Sequence, residues 1–533
     1  MQKNVARPSA TSLFNPFRRH LLKAGIATGS LFGSMPYALV WAQSEGTLKL
    51  LRLPKIALVF GNSKYKDAPL KNPSNDAKAI GKALTDAGFS VTARLDASRA
   101  DMTAAIDAFL KELAAKKCVG LFYYAGHGVQ LAWKNYMLPV DADIDTVDDV
   151  QKQAMDLTRL MNGLANAANP LNVIILDACR DNPFGTAKQL QQKGLSQMDA
   201  PINTILAYAT SPGNVASDGE GANGLYTENL LREVRVQDAK IEDVFKRVRL
   251  GVRRRSNGQQ IPWESTSLEE DFYFLPPKEF QKLSDAEAER QFQAELAIWV
   301  KIKDAREPAP LEEYLRKYPS GYYAELAQFQ LDRVLARQGE KKIEAVNAPE
   351  NPYTKGNARI DTHFKIGDSY NYREFDLYTK IETRQTANRI TNIIEDQVIF
   401  NDGRVVTDLF GNQIKTGNGN VFTGAQYFVP NYEVGKKWAT RFTVTYPGGE
   451  VREFEIDFRV AARETVTVPA GKFDAFRVEG SGGGRGGRVN VYVNPKYWMA
   501  PGIRWPVAKE NKRQANGRVI AYERIELTAY VQQ

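Results

Sequence analysis

A thiol and an imidazole, suitably placed, can break an amide bond, and this chain is sparing with both. Its 533 residues include two cysteines, Cys118 and Cys179, and three histidines, His20, His127 and His363. Cys179 closes the apolar run NVIILDAC (172–179), with Asp177 two residues before it and Asp181 two after. A thiol that hydrolyses amides needs a thiolate nucleophile, a base that also protonates the leaving amine, and donors for the oxyanion. Histidine suits the second task because its pKa lies near neutrality. His20 lies in an N-terminal leader and His363 in a distant β-rich region, so His127 is the one that shares a region with Cys179. It sits in LFYYAGHGVQ, directly after an apolar run and between Gly126 and Gly128. The backbone N–H groups of Gly128 and Cys179 are candidates to meet an oxyanion. A buried structural cysteine and an incidental histidine are the alternative. The 52-residue spacing and the shared sheet edge argued below favour a dyad.

The elements that position these residues read as alternating strands and helices. KIALVFG (55–61), SVTARL (90–95), CVGLFYYAG (118–126), NVIILDAC and TILAYAT (204–210) are strand-like. The spacing predicts helices over 72–89, with Asn75 or Asp76 as cap, and over 99–115, 156–168, 225–234 and 240–255, and DFYF (271–274) is expected to close the set. Strands that are apolar throughout and alternate with helices imply a mostly parallel sheet with helices on both faces. Ligands meet such sheets at the carboxyl ends of the strands, where His127 and Cys179 both emerge. Cys118 begins its run while Cys179 ends its own, about 20 Å away at ~3.3 Å per residue, too far for a disulfide.

The order His before Cys, the separation and the placement after strands match the caspase class rather than papain-like enzymes. YYAGHG, ILDACRDNPF, GNSKYKDAPLKNPSNDA and WESTSLEEDFYF together resemble the bacterial caspase-like cysteine peptidases, close to metacaspases and orthocaspases, over roughly residues 54–277. The resemblance implies that Asp177 and Asp76 line the S1 pocket and that the enzyme cuts after Arg or Lys. True caspases carry Gln-Ala-Cys where this chain has Asp177-Ala178-Cys179. Two carboxylates suit a guanidinium, which they bind by charge-assisted bidentate hydrogen bonds. Asp76 as a helix cap and Asp177 bonded to nearby backbone are the plainer alternatives. Asp181 is given no role. Lys188 and Lys193, in the polar stretch 186–199, fit self-cleavage after a basic residue. The acidic stretch DADIDTVDD (141–149) lacks the EF-hand pattern and reads as a solvated loop, which leaves calcium undecided. No other cofactor and no metal site is expected, because HExxH, CxxC, P-loop and GxSxG motifs are missing.

The flanks suggest export and attachment. Residues 1–42 read as a twin-arginine-like signal, with Arg18-Arg19 before an apolar run and small residues at Val40 and Ala42. Five of the basic residues behind the net charge of +9 lie there, leaving +4 for the remainder, too little for a nucleic-acid-binding surface. The expected location is the periplasm or the outside of a bacterial cell. Residues 280–345 read as a helical hairpin or spacer, followed by a polar linker near 346–358. Residues 357–533 read as an antiparallel β domain of unknown ligand, with GSGGGRGGR (480–488) as a loop or hairpin tip. The expected function is an exported cysteine endopeptidase acting on peptide or protein substrates with a basic P1 residue, with an envelope partner for the C-terminal regions. A non-catalytic adaptor that binds peptides on a caspase-like fold is the alternative, and a ligand carrier built around the β domain is a third.

Overall fold

Apolar runs become the central strands of an α/β sheet. The computed structural model describes residues 37–179, 194–212, 214, 221–278, 285–340, 350–486 and 490–533. In chain order the first elements are α1 (Tyr37–Arg52), β1 (Lys55–Gly61), α2 (Pro73–Asp86), β2 (Ser90–Leu95), α3 (Arg99–Lys116), β3 (Val119–Leu131), β4 (Lys134–Met137), α4 (Val147–Gln153), β5 (Met155–Asp156), α5 (Leu157–Ala167), β6 (Leu171–Cys179), β7 (Thr204–Tyr208), α6 (Leu225–Val234), α7 (Ile241–Arg255) and β8 (Trp263–Thr266). The main sheet runs β2-β1-β3-β6-β7-β8, parallel except for β8. Odd-numbered residues such as Val59, Tyr123 and Val173 face α2, α6 and α7, whereas Phe60, Phe122 and Ile174 face α3 and α5. Both faces are covered, which is why the strands are apolar throughout.

Several expectations need correction. The helix over 72–89 starts at Pro73 with Asn72 in the cap position, so neither Asn75 nor Asp76 caps it. The strand expected to end at residue 126 continues to Leu131, because beyond His127 it pairs with β4 instead of turning. DFYF is not a strand. Phe272 and Phe274 are buried in the core, but among the described residues the only ladder contact there is a bridge between Lys240 and Tyr273, and the edge strand is Trp263–Thr266. The acidic stretch 141–149 is no plain loop. Thr146 and Asp149 form a capping box that starts α4, and Asp141 accepts a hydrogen bond from Arg99 N at 2.8 Å.

Among the described residues the helical region comprises three helices rather than a hairpin: α8 (Asp285–Ile302), α9 (Pro308–Lys317) and α10 (Ala324–Arg337). Pro308 stands in the first turn of α9, where a missing N–H costs nothing, and separates it from α8. The described part of the expected linker is docked. Asn351 is buried and donates to Ser196 Oγ and Gln197 O at 2.9 and 2.8 Å, and Thr354 Oγ1 donates to Asp199 at 2.6 Å. No helix among the described residues is long and apolar enough to cross a membrane.

The β-rich region closes into a barrel. After β9 (Asn357–Arg359), the strands are β10 (Ser369–Asp376), β11 (Glu382–Ile394), β12 (Gln397–Phe400), β13 (Val405–Asp408), β14 (Gln413–Lys415), β15 (Val421–Thr423), β16 (Asn431–Glu433), β17 (Lys437–Thr445), β18 (Val451–Val468), β19 (Gly471–Arg485), β20 (Val491–Met499), β21 (Ala508–Ala515) and β22 (Arg518–Val531). Twelve of them form the antiparallel ring, and β16 pairs separately with β9. Along β18, Phe454, Ile456, Phe458 and Val460 point inward while Glu455, Asp457 and Arg459 are exposed. Along this strand the apolar side chains therefore pack into the barrel and the charged ones face out. The glycine-rich stretch is strand as far as Arg485, contrary to expectation; residues 487–489 lie outside the described residues. Gly484 and Gly480 pair with Phe454 and Phe458, whose rings occupy the space their missing side chains leave.

Candidate active site

The parallel register brings the two proposed catalytic residues side by side. On β3 and β6, Ala125 pairs with Asp177, Gly126 with Ala178, and His127 with Cys179. Neighbouring strands lie about 4.8 Å apart, so adjacency of the dyad is a property of the sheet itself. Cys179 is the last residue of β6, at the carboxyl edge. Cys118 is free and buried at the opposite end, just before the first β3–β6 pair, Val119 with Leu171.

His127 is buried and held from three sides. Its backbone N donates to Tyr65 Oη at 3.0 Å, and its carbonyl accepts from Tyr124 Oη at 2.7 Å and Leu138 N at 3.0 Å. The Tyr65 ring packs on the imidazole, with centroids 4.5 Å apart. Ring Nε2 lies 2.7 Å from the carbonyl oxygen of Ala68. A carbonyl only accepts, so Nε2 carries the proton and Nδ1 is the basic nitrogen of the neutral ring. That bond fixes the tautomer and the ring orientation, as the carboxylate does in a catalytic triad. Gly126 explains the glycine before the histidine: a Cβ there would stand 2.6 Å from Tyr65 Oη and 2.7 Å from Tyr124 Oη.

Gly128, the proposed oxyanion donor, pairs with Met137 on β4. Leu138 N bonds to His127 O, which makes Gly128 and Met137 a non-hydrogen-bonded pair, so the Gly128 N–H is directed away from β4. A Cβ at Gly128 would lie 3.0 Å from Ala178 Cβ and 3.1 Å from Leu195 Cδ2, which keeps this backbone close to β6.

The two aspartates meet the same helix end. Asp76, buried on α2, accepts at Oδ1 from Asn223 Nδ2 at 2.8 Å and from Gly224 N at 3.0 Å, and Gly224 is the N-cap of α6. Asp177 accepts at Oδ2 from Thr227 Oγ1 at 2.6 Å and from Tyr123 Oη at 3.3 Å. Burial, followed by the charges of Asp177 and Asp76, pushes the Tyr123 phenol well above its ordinary value, so it stays a neutral donor between them. The positive end of the α6 dipole favours carboxylates at this position. Asp76 does not cap α2 but ties it to the start of α6, and Asp177 is bonded to the side chains of Thr227 and Tyr123.

Sequence reading missed the supporting cast: Tyr65, the Ala68 carbonyl, Tyr123, Tyr124, Asn223, Gly224 and Thr227. It also missed the segment that follows Cys179. Leu195, Ser196 and Met198 are buried, and Asn135 clasps Ser196 through two bonds of 2.9 and 2.7 Å. Asp181, Lys188 and Lys193 lie outside the described residues. Among the described residues, no cluster of three or more His, Cys, Asp or Glu is arranged to hold a metal ion.

The caspase-domain family model matches residues 54–273. Mucosa-associated lymphoid tissue lymphoma translocation protein 1 of Homo sapiens is 29% identical over 235 residues, which cover 43% of this chain and 27% of that protein. Its Mus musculus homolog is 30% identical over 233 residues, with 42% and 27% covered. The chain thus spans little more than a quarter of the length of these relatives. Residues 54–273 thus form a caspase-like domain, by the matched segment and by the mostly parallel sheet with helices on both faces.

Proposed function

We propose that this protein is an exported cysteine endopeptidase that cleaves after Arg or Lys. The observation that carries the reading is the pairing of His127 with Cys179 at the sheet edge, with Nε2 of the histidine tied to Ala68 O. In the proposed cycle Nδ1 of His127 takes the Cys179 proton and the thiolate attacks the scissile carbonyl carbon. The Gly128 and Cys179 N–H groups receive the oxyanion, and the imidazolium protonates the departing amine as the C–N bond breaks. Water, deprotonated by His127, then resolves the thioester and returns the proton to the thiol. Asp76 and Asp177 would hold the P1 guanidinium or ammonium, their charges supported by the α6 terminus. Residues 1–42 would direct export to the periplasm or beyond, and the C-terminal regions would meet an envelope partner.

The test uses the chain from residue 43 with fluorogenic peptides ending in Arg, Lys or Asp, with and without calcium, beside Cys179→Ala. Cleavage after Arg or Lys that disappears in the variant is the expected result. Cleavage after Asp would remove the pocket assignment and keep the enzyme. Silence from folded protein under every condition would leave the non-catalytic adaptor as the reading.

A further inference from the structure

Inside the barrel a row of register partners crosses five strands. Arg384 on β11 pairs with Glu374 on β10, Glu374 with Ile525 on β22, Ile525 with Lys509 on β21, and Lys509 with Tyr497 on β20. The first four of these line a cavity of about 300 Å³, with Tyr372 and Trp505 among its other walls. That volume lies at the small end of ligand pockets.

The two charged ends of the row differ. Glu374 has Arg384 opposite it, and the charges of Arg384 and Arg513 act on its carboxyl together with Glu523. Lys509 has no such partner: its ammonium lies 5.5 Å from the centre of the Trp505 ring and 5.8 Å from that of Phe428, and no carboxylate of the described residues pairs with it. Burial alone pushes its pKa down to about 8. On the same wall the indole Nε1–H of Trp505 is buried with no acceptor among the described residues. Interior cations and donors are ordinarily matched. Here a wall supplies positive charge and aromatic surface, while Thr416, Asn418 and Asn420 in the β14–β15 turn supply neutral hydrogen-bonding groups around the opening.

We propose that the barrel cavity binds a small carboxylate with a polar body, its carboxylate on the Lys509 ammonium and its body between Trp505 and the asparagine-bearing turn. The ammonium has aromatic faces but no carboxylate partner among the described residues, and a ligand carboxylate would supply one. An acidic sugar and the free carboxyl end of a short peptide share this chemistry. The site is independent of the peptidase reading, since none of its residues belongs to the 54–273 domain.

The experiment is calorimetric titration of the full chain carrying Cys179→Ala, so that hydrolysis cannot intrude. The probes are glucuronate against glucose, and N-acetyl-alanyl-alanine against its carboxamide. We expect at least one acid to bind at least about tenfold more tightly than its neutral counterpart, because a charge-assisted bond is at stake. We expect Lys509→Met to abolish that preference and Lys509→Arg to retain it. The acid that binds identifies the source. Failure of both acids to bind, equal binding of acid and neutral forms, or undiminished binding to folded Lys509→Met would each overturn the proposal, and the comparison of acid with neutral probe stands even if a variant fails to fold.

Discussion

Buried charge is treated in opposite ways in the caspase-like domain and in the barrel. Asp76 and Asp177 receive N–H and O–H donors from the start of α6, so the protein itself solvates the carboxylates before any substrate arrives. Lys509 lies against aromatic rings with no carboxylate partner among the described residues. The contrast teaches what each site waits for. A reaction needs dipoles already in place when charge develops, so the sheet edge is organised in advance. A binding cavity gains its affinity from what is left unmatched, so one partner is left to the ligand.

The comparison breaks most sharply at the nucleophile. Cys179→Ala should lower kcat/KM by about 10⁴-fold or more while leaving acid binding in the barrel as it was, measured by peptide hydrolysis and calorimetry on the same preparation. Asp177→Asn should come next, with kcat/KM for Arg substrates falling by about 10²-fold and that for neutral P1 residues nearly unchanged. An equal loss on both substrate types would show that Asp177 holds the fold together and does not select P1.

Smaller effects sharpen the contrast through stability. A Cβ on Gly482 would run into the Glu455 carbonyl of the neighbouring strand, so Gly482→Ala should destabilise the barrel by about 1–3 kcal/mol. Its melting midpoint should fall while hydrolysis by the folded fraction persists. Asn351→Ala removes two bonds that fasten the segment after Cys179, and should cost about 1–2 kcal/mol, read by denaturant unfolding.

The last prediction concerns the junction between the two regions. Burial, then Asp199, pushes the Glu433 carboxyl from its ordinary 4.5 up to about 8, against Arg249, Lys436 and a bond from Gln197. The unfolded chain ionises this group first, so between about pH 4.5 and 8 the folded state binds the extra proton and stability falls as pH rises. Glu433→Gln has no such titration, and its melting point should drop less between pH 5 and pH 8 than that of the unaltered protein. Parallel curves would remove Glu433 from the junction's pH response.

Legibility followed the kind of interaction involved. The adjacency of His127 and Cys179 was readable because apolar runs mark where parallel strands end, and chemistry-bearing residues at those ends stand out by type. The Ala68 carbonyl and the Gly224 N–H were not readable, since backbone groups carry no residue signature. Gly126 looked like the end of a strand, yet β3 continues because a second pairing, with β4, takes over from the main sheet. The glycine-rich stretch looked like a loop because the rule against glycine in strands considers one strand alone. In the barrel, Phe454 and Phe458 on the neighbouring strand fill the space. DFYF had the composition of a strand and found no strand beside it.

Alternation and apolar runs, being local, were enough to announce an α/β sheet followed by antiparallel β structure, and to put His127 and Cys179 at one edge. Registers, ring closure and helix ends are set by contacts between segments far apart in the chain. Tertiary structure therefore decided which nitrogen of His127 meets the Ala68 carbonyl, that Asp76 and Asp177 share the terminus of α6, that twelve strands close into a ring, and that Lys509 lies against aromatic rings with no carboxylate partner among the described residues.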